Sequence, residues 1–153
     1  MYTFNLQTVL DHRQFIEDNL KKELAECKQQ VIAARQQLEA LRRKEMDTAA
    51  ALKLEQEKGL SSDQVIAYHN YLRRLAGHIV RQKEIVDETM ALKTAKQNEL
   101  VEAVKKRQIL EKLKDRGLER YNRAMLKREM AFIDEIAVNR FVRKTLNSEE
   151  ENE

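Results

Sequence analysis

The residues that could carry out chemistry are few in this chain and poorly placed for it. The three histidines, His12, His69 and His78, lack the i, i+4 spacing that sets two imidazoles on one helix face for a metal ion. Cys27 is the single cysteine, and there is no phosphate-binding glycine loop, CxxC pair or nucleophile elbow. The many carboxylates lack the burial that would tune a pair for acid–base work. The sequence therefore predicts no enzyme, with no catalytic residue, cofactor or metal site.

The composition favours a few very long helices. The 153 residues include no proline and three glycines, which is too few breakers for the turns of an ordinary globular domain. Of all residues, 36% are charged and 5% are aromatic, so the chain can fill a narrow seam between helices but not a compact core. We predict an all-α fold in which two long helices form an antiparallel two-stranded coiled-coil hairpin.

A heptad pattern predicts the seam of this hairpin. In each helix, apolar residues recur at alternating spacings of four and three, as at the a and d positions of a coiled coil. From about Ala91 to Lys114 the apolar pattern weakens, and its members are spaced less regularly: Leu92, Leu100, Ala103, Leu110 and Leu113. The predicted seam consists of Leu20, Leu24, Cys27, Val31, Ala34, Leu38, Leu41, Val65, Tyr68, Leu72, Leu75, Ile79 and Val86.

Local signals predict one tight turn between the helices. Gly59 can adopt the left-handed conformation that ends a helix. Ser61 and Gln64 have the spacing of a capping box, and Leu60 and Val65 have that of a hydrophobic staple. We predict one coiled-coil domain, residues 1–153, with a helix over 5–57, a turn over 58–61, a helix over 62–146 and a frayed acidic tail over 147–153.

The predicted arms are unequal in length. Folding at the turn places residue i opposite roughly residue 119 − i, so that the second helix projects beyond the first from about residue 119 onward. A three-helix bundle with a break at Gly117 is the alternative that would cover this projection. Its apolar stripe, which points to a partner site, comprises Tyr121, Met125, Phe132, Ile133, Ile136, Ala137 and Phe141.

The segment 105–128 is strongly basic, with ten Lys and Arg residues against three acids. A solvated helix face is one interpretation, and an acidic protein partner is another. Nucleic-acid binding ranks lower, because the bases alternate with apolar residues instead of forming a basic region or a recognised module.

A second stripe accompanies the seam near the turn, formed by Tyr71, Leu75, His78 and Gln82. Two interpretations remain open. Either Tyr71 only flanks the core, or it is an aromatic anchor for a partner, as is common in interface hot spots.

The chain also carries signals about its compartment. A single cysteine suits a reducing compartment, no apolar run approaches the ~20 residues that cross a bilayer, and the first residues do not resemble a signal peptide. We predict a cytoplasmic protein without direct membrane insertion, peripheral at the inner face of the cell membrane.

Three parts of the sequence together resemble the FliJ family of the bacterial flagellar type III export apparatus. They are the opening FNLQTVLDHR at residues 4–13, the YHNYLRRL segment at 68–75, and EMAFIDEIAVNR at 129–140. The resemblance implies a central stalk that inserts into a hexameric export ATPase ring, touches the membrane-embedded export gate protein and escorts export chaperones. Injectisome stalk proteins of the YscO type are similar in architecture and remain an alternative.

The resemblance also implies two sets of contact residues. The gate-facing set is Tyr71, Leu75, His78 and Gln82. The ring-facing set is Arg120, Tyr121, Arg123, Lys127, Arg128, Asp134 and Arg140.

These observations lead to one functional hypothesis and two alternatives. The hypothesis is a non-enzymatic stalk and adaptor in flagellar protein export, and hence in motility and chemotaxis. The alternatives are a basic coiled coil that binds nucleic acid and an oligomeric scaffold that self-associates through residues 119–146.

Overall fold

The computed structural model describes the backbone of residues 1–150 and the side chains of residues 1–146. It contains two α-helices, α1 (Gln7–Lys58) and α2 (Ser62–Glu150), which pack against each other. This confirms the predicted all-α hairpin with a longer second helix. Because α2 passes through Gly117 without interruption, the three-helix alternative is wrong.

The helix ends differ slightly from the predicted ones. The N–H of Gln7 donates to the carbonyl of Phe4 at 3.0 Å in a turn that precedes α1, so this helix begins at Gln7 instead of Asn5. At its other end α1 includes Lys58. α2 continues to Glu150 instead of ending at 146, because neither glycine nor proline interrupts it. The rest of the predicted frayed tail, residues 151–153, lies outside the described residues.

The turn between the helices has the predicted chemistry. Gly59 has a φ of 92°, the left-handed conformation expected at a helix C-terminus. The hydroxyl of Ser61 accepts the N–H of Gln64 at 3.3 Å, and the Ser61 N–H donates to the Gln64 side-chain oxygen at 3.2 Å. The capping box is therefore confirmed, and it fixes where α2 begins.

The described chain divides into two compact units. One unit contains Met1–Arg13 and the chain from Lys105 onward, and the other contains Gln14–Val104. In the Gln14–Val104 unit, Lys96 Nζ lies 2.7 Å from Glu23, the partner that the predicted register gives it. In the unit with the chain termini, Lys114 Nζ donates to the side-chain oxygen of Gln7 at 2.9 Å. Both contacts pair an early residue of α1 with a late residue of α2, as an antiparallel arrangement requires.

Buried residues follow the heptad pattern along both helices. All thirteen residues of the predicted seam are buried or half-buried, Val31 most completely at 3% exposure. One buried seam position is polar: Glu17 is 3% exposed, and its carboxylate lies 2.8 Å from Lys21 Nζ. The seam therefore contains charge as well as apolar side chains.

In the weaker half of the α2 seam, three of the five irregularly spaced apolar residues, Leu100, Ala103 and Leu110, are buried or half-buried. Leu92 and Leu113 are 55% and 45% exposed, while Lys93, Lys96 and Lys114 occupy half-buried positions in heptad spacing. Long cationic side chains can do this because their methylene stems cover apolar surface while the amine reaches a polar partner. The hydrogen bonds that the Lys96 amine donates, first to Glu23 and then to Glu99, raise the pKa of Lys96.

Two glycines give a matched test of the backbone. Gly77 lies inside α2, and a Cβ built on it meets no atom within 4 Å. We expect Gly77→Ala to raise the free energy of unfolding by about 0.5–1 kcal/mol, because alanine loses less backbone entropy in a helix. Gly59→Ala should lower it by about 1–2 kcal/mol, because the left-handed conformation is strained for a residue with a Cβ. Urea denaturation followed by circular dichroism measures both changes, and equal signs would contradict this account of the turn.

Candidate partner-binding surfaces

The unit that holds the chain termini covers α2 only as far as Tyr121. The ring of Tyr2 packs on Gly117, where a Cβ would collide with the Tyr2 hydroxyl, and lies 5.9 Å from the ring of Tyr121 at an angle of 46°. Tyr121 is half-buried as a result. It therefore serves the contact between α1 and α2 within this unit as well as bordering the predicted ring-facing surface.

Every side chain from Asn122 to Leu146 is exposed. The predicted apolar stripe lies within this segment apart from Tyr121, and additional apolar residues accompany it. The large exposed side chains of the segment are Met125, Leu126, Met130, Phe132, Ile133, Ile136, Val138, Phe141, Val142 and Leu146. An apolar surface of this length, uncovered in the described part of the chain, is typical of a partner-binding site.

Near Tyr121 the basic residues and the first apolar residues occupy different faces of α2, whereas farther along Met130, Val138 and Phe141 lie on the basic face by their spacing. At 3.6 residues per turn, Arg116, Arg120, Arg123 and Lys127 lie on one face because they are spaced by four, three and four residues. Tyr121, Met125, Phe132 and Ile136, with spacings of four, seven and four, lie on nearly the opposite face. We name the first set the basic stripe. A partner that contacts both faces must surround the helix.

The ring-facing set predicted from the sequence is only partly brought together. Arg120, Arg123 and Lys127 share the basic stripe, and Asp134 follows on the same face one heptad after Lys127. Arg128 and Arg140 point in other directions by their spacing. Arg123 forms an ion pair with Glu119 at 3.8 Å, and both side chains are largely exposed. Such a pair contributes little energy, so it would not prevent Arg123 from contacting a partner.

The gate-facing set in the Gln14–Val104 unit divides into two pairs. Tyr71 is 42% exposed and His78 is exposed, so both are accessible to a partner. Leu75 is 5% exposed, and the Gln82 amide donates to the carbonyl of Ala34 at 3.0 Å. These two residues occupy heptad positions in register with Leu72 and Ile79, so they hold the helices together instead of forming an outer stripe.

Tyr71 stands between two grooves on the surface of this unit, and a third groove follows along α2. We name the grooves by their distance from the turn at Gly59. The proximal groove, of about 520 Å³, is lined by Asp47, Thr48, Ala51, Gln64, Ala67, Tyr68 and Tyr71. The middle groove, of about 260 Å³, is lined by Leu41, Lys44, Tyr71, Arg74, Leu75 and His78. The distal groove, of about 330 Å³, is lined by Arg74, Gly77, His78 and Arg81.

Sequence reasoning missed most of these lining residues. On α2 they could have been found, because Gln64, Ala67, Arg74 and Arg81 recur with Tyr71 at spacings of three and four residues. The residues of α1, such as Lys44 and Asp47, carry no comparable signal. Their place beside Tyr71 depends on how the two helices align.

We also searched the described residues for metal ligands, a reactive cysteine and membrane-spanning stretches. No group of three histidine, cysteine, aspartate or glutamate side chains within residues 1–146 could hold a metal ion. Cys27 is half-buried on the seam. In the described part of the chain, neither helix contains an apolar stretch able to cross a membrane.

Comparison with known proteins identifies the family. A family model described as "Flagellar FliJ protein" matches residues 2–146, nearly the whole chain. No curated protein and no solved structure matches the chain. The match decides between the flagellar and injectisome interpretations that the sequence left open. The chain belongs to the FliJ family and is a component of the flagellar protein export apparatus.

Proposed function

We propose that this chain is a non-enzymatic stalk that binds the hexameric export ATPase and couples it to the membrane-embedded export gate. The observation that carries the proposal is the uncovered segment 122–146, in which every side chain is exposed although many are large and apolar. Leaving such a surface in water is unfavourable, so its presence argues for a partner that buries it. The ATPase ring is that partner.

The arrangement of charge supports a ring over a flat partner surface. The basic stripe and the Met125–Phe132–Ile136 face point to nearly opposite sides of α2. A flat surface could contact only one of them, whereas the central opening of a ring contacts a helix from all sides. An acidic inner wall would attract the basic stripe and steer the helix into the opening.

The second contact of the proposed stalk is the surface around Tyr71, which we assign to the gate protein. Tyr71 combines a large apolar ring, 42% exposed, with grooves on both sides. Aromatic side chains next to such concavities often carry much of the binding energy at an interface. Escort of export chaperones and location at the inner face of the cell membrane form part of the same proposal.

A charge-reversal variant tests the ring contact. The variant combines Arg120→Glu, Arg123→Glu and Lys127→Glu in one chain. It should bind the purified ATPase about tenfold to a hundredfold more weakly, because three exposed positive charges that would attract an acidic wall become negative. Stimulation of ATP hydrolysis should fall with it. The matched control reverses Arg42, Arg43 and Lys53, which are also exposed but belong to the other unit, and it changes the net charge by the same amount.

The outcomes separate the candidate functions. Unchanged binding and stimulation by the first variant would contradict the ring contact. Equal loss in both variants would show that only net charge matters. If the first variant instead abolished a salt-dependent shift of nucleic acid, the basic stripe would serve nucleic acid.

A further inference from the structure

The three grooves around Tyr71 adjoin one another and form one continuous track. The proximal and middle grooves share Tyr71, and the middle and distal grooves share Arg74 and His78. From Gln64 to Arg81 the track spans about 25 Å along α2, at 1.5 Å per residue. That length accommodates a helix of roughly 17 residues or an extended segment of roughly eight.

The track is apolar near the turn and basic away from it. In the proximal groove the lining is dominated by alanine side chains and tyrosine rings, and Asp47 is its one acidic residue. The middle and distal grooves contain no acid, and they are lined by Lys44, Arg74, His78 and Arg81. Charge is therefore separated along the track, which gives a bound segment a direction as well as a position.

Two of these basic residues, Lys44 and Arg74, have no acidic partner among the side chains that the structure describes. Arg81 lies 3.0 Å from Glu84. Because Lys44 and Arg74 project from different helices into one groove, a carboxylate placed there meets positive charge from both sides. The floor beneath them is apolar, since Leu75 is buried and Leu41 is half-buried.

We propose that this track binds an acidic protein segment whose apolar residues lie beside Tyr71 and whose carboxylates lie against Lys44, Arg74 and Arg81. The proposal rests on the assignment of the Tyr71 surface to the gate protein and specifies the chemistry of the segment that the gate presents. Nucleic acid fits poorly, because its charge is uniform and the proximal groove offers apolar surface and a carboxylate. A bilayer surface is too flat to enter the proximal and middle grooves, which lie between the two helices.

Synthetic peptides and the full-length chain test the proposal without the gate protein. The first peptide is a fluorescein-labelled helix with leucines in one half and glutamates in the other. A second peptide has lysines in place of the glutamates, and a third has glutamates throughout and no leucine. Fluorescence anisotropy should show that the first peptide binds at least about tenfold more tightly than either of the others at low salt.

Substitutions then locate the site. Arg74→Glu should weaken binding of the first peptide by about tenfold or more, because it reverses a charge shared by the middle and distal grooves. Arg73→Glu is the matched control, since Arg73 is the adjacent exposed arginine and lines none of the three grooves. We expect its effect to remain within about twofold.

Blocking the track gives a second, uncharged test. Because nothing lies within 4 Å of a Cβ at Gly77, the side chain of Gly77→Leu can occupy the distal groove without disturbing the seam. Leucine also favours a helix over glycine, so the melting temperature should not fall. The peptide should bind this variant several-fold more weakly, since the groove that holds its glutamates is filled.

Three results would overturn the proposal: no binding of the first peptide, equal binding of all three peptides, or equal losses for Arg74→Glu and Arg73→Glu. Failure of the purified gate protein to bind the chain would contradict the proposed function instead. Gate binding that persists in the Arg74→Glu variant would contradict only the acidic segment. The two failures are therefore distinguishable.

Discussion

Leu52→Ala is expected to lower the free energy of unfolding by about 2–3 kcal/mol. Leu52 is 8% exposed in a heptad position near the end of α1, where truncation removes buried methyl groups and leaves a cavity. We place the loss in the lower part of the range for buried leucines, because a seam between two helices collapses around a cavity more easily than an enclosed core does. Urea denaturation monitored by circular dichroism gives the change.

Leu54→Ala provides the control two residues away. Leu54 belongs to the same helix but is 59% exposed, so the same truncation removes little buried surface. Its effect should stay within about 0.5 kcal/mol. Similar losses for both variants would mean that α1 is not packed on the seam in the register described, since a shift by one or two positions along a heptad exchanges buried and exposed residues.

The fold could be predicted because its signals are local and mutually consistent. The turn is specified by Gly59, Ser61 and Gln64, whose conformations and hydrogen bonds depend on neighbours a few residues away. The stronger half of the seam is specified by apolar residues in unbroken heptad spacing. Such features need no knowledge of the partner helix.

The weaker half of the seam could be predicted only in part by the same method. The apolar pattern includes Leu92 and Leu113, which are exposed, whereas the neighbouring Lys93 and Lys114 hold half-buried positions in strict heptad spacing. Continuing the spacing of Ile79 and Val86 through polar residues would have found the correct positions. For Lys96, the reason is a partner on the other helix, Glu23, which only the alignment of α1 and α2 brings near.

The candidate surfaces were predicted in outline and not in detail. The uncovered end of α2 follows from unequal helix lengths, which the sequence predicts from a single turn. The groove residues of α1, and the division of the gate-facing set, depend on which side of α2 faces α1. A stripe drawn from Tyr71 through Leu75 crosses from solvent to seam within one helical turn.

The position of Leu75 on the seam leads to the second prediction of a large change in stability. We expect Leu75→Ala to lower the free energy of unfolding by about 2–4 kcal/mol, because its side chain is 5% exposed on the seam. Tyr71→Ala should change stability by no more than about 0.5 kcal/mol, since the ring is 42% exposed and alanine favours the helix. Leu92→Ala, at 55% exposure, is the control for leucine truncation in α2 and should be nearly neutral.

For binding we expect the opposite order: when both variants are folded, Tyr71→Ala should have the larger effect and Leu75→Ala the smaller one. Tyr71→Ala should weaken binding of the purified cytoplasmic part of the gate protein by about tenfold or more, as expected for an aromatic anchor. Leu75→Ala should retain most of that binding at low temperature, because Leu75 supports the groove from beneath and offers little surface to a partner. If Leu75→Ala abolished binding while remaining folded and Tyr71→Ala did not, the gate would contact a surface other than the one around Tyr71. These results would assign stability to Leu75 and recognition to Tyr71, two residues one helical turn apart that differ in burial.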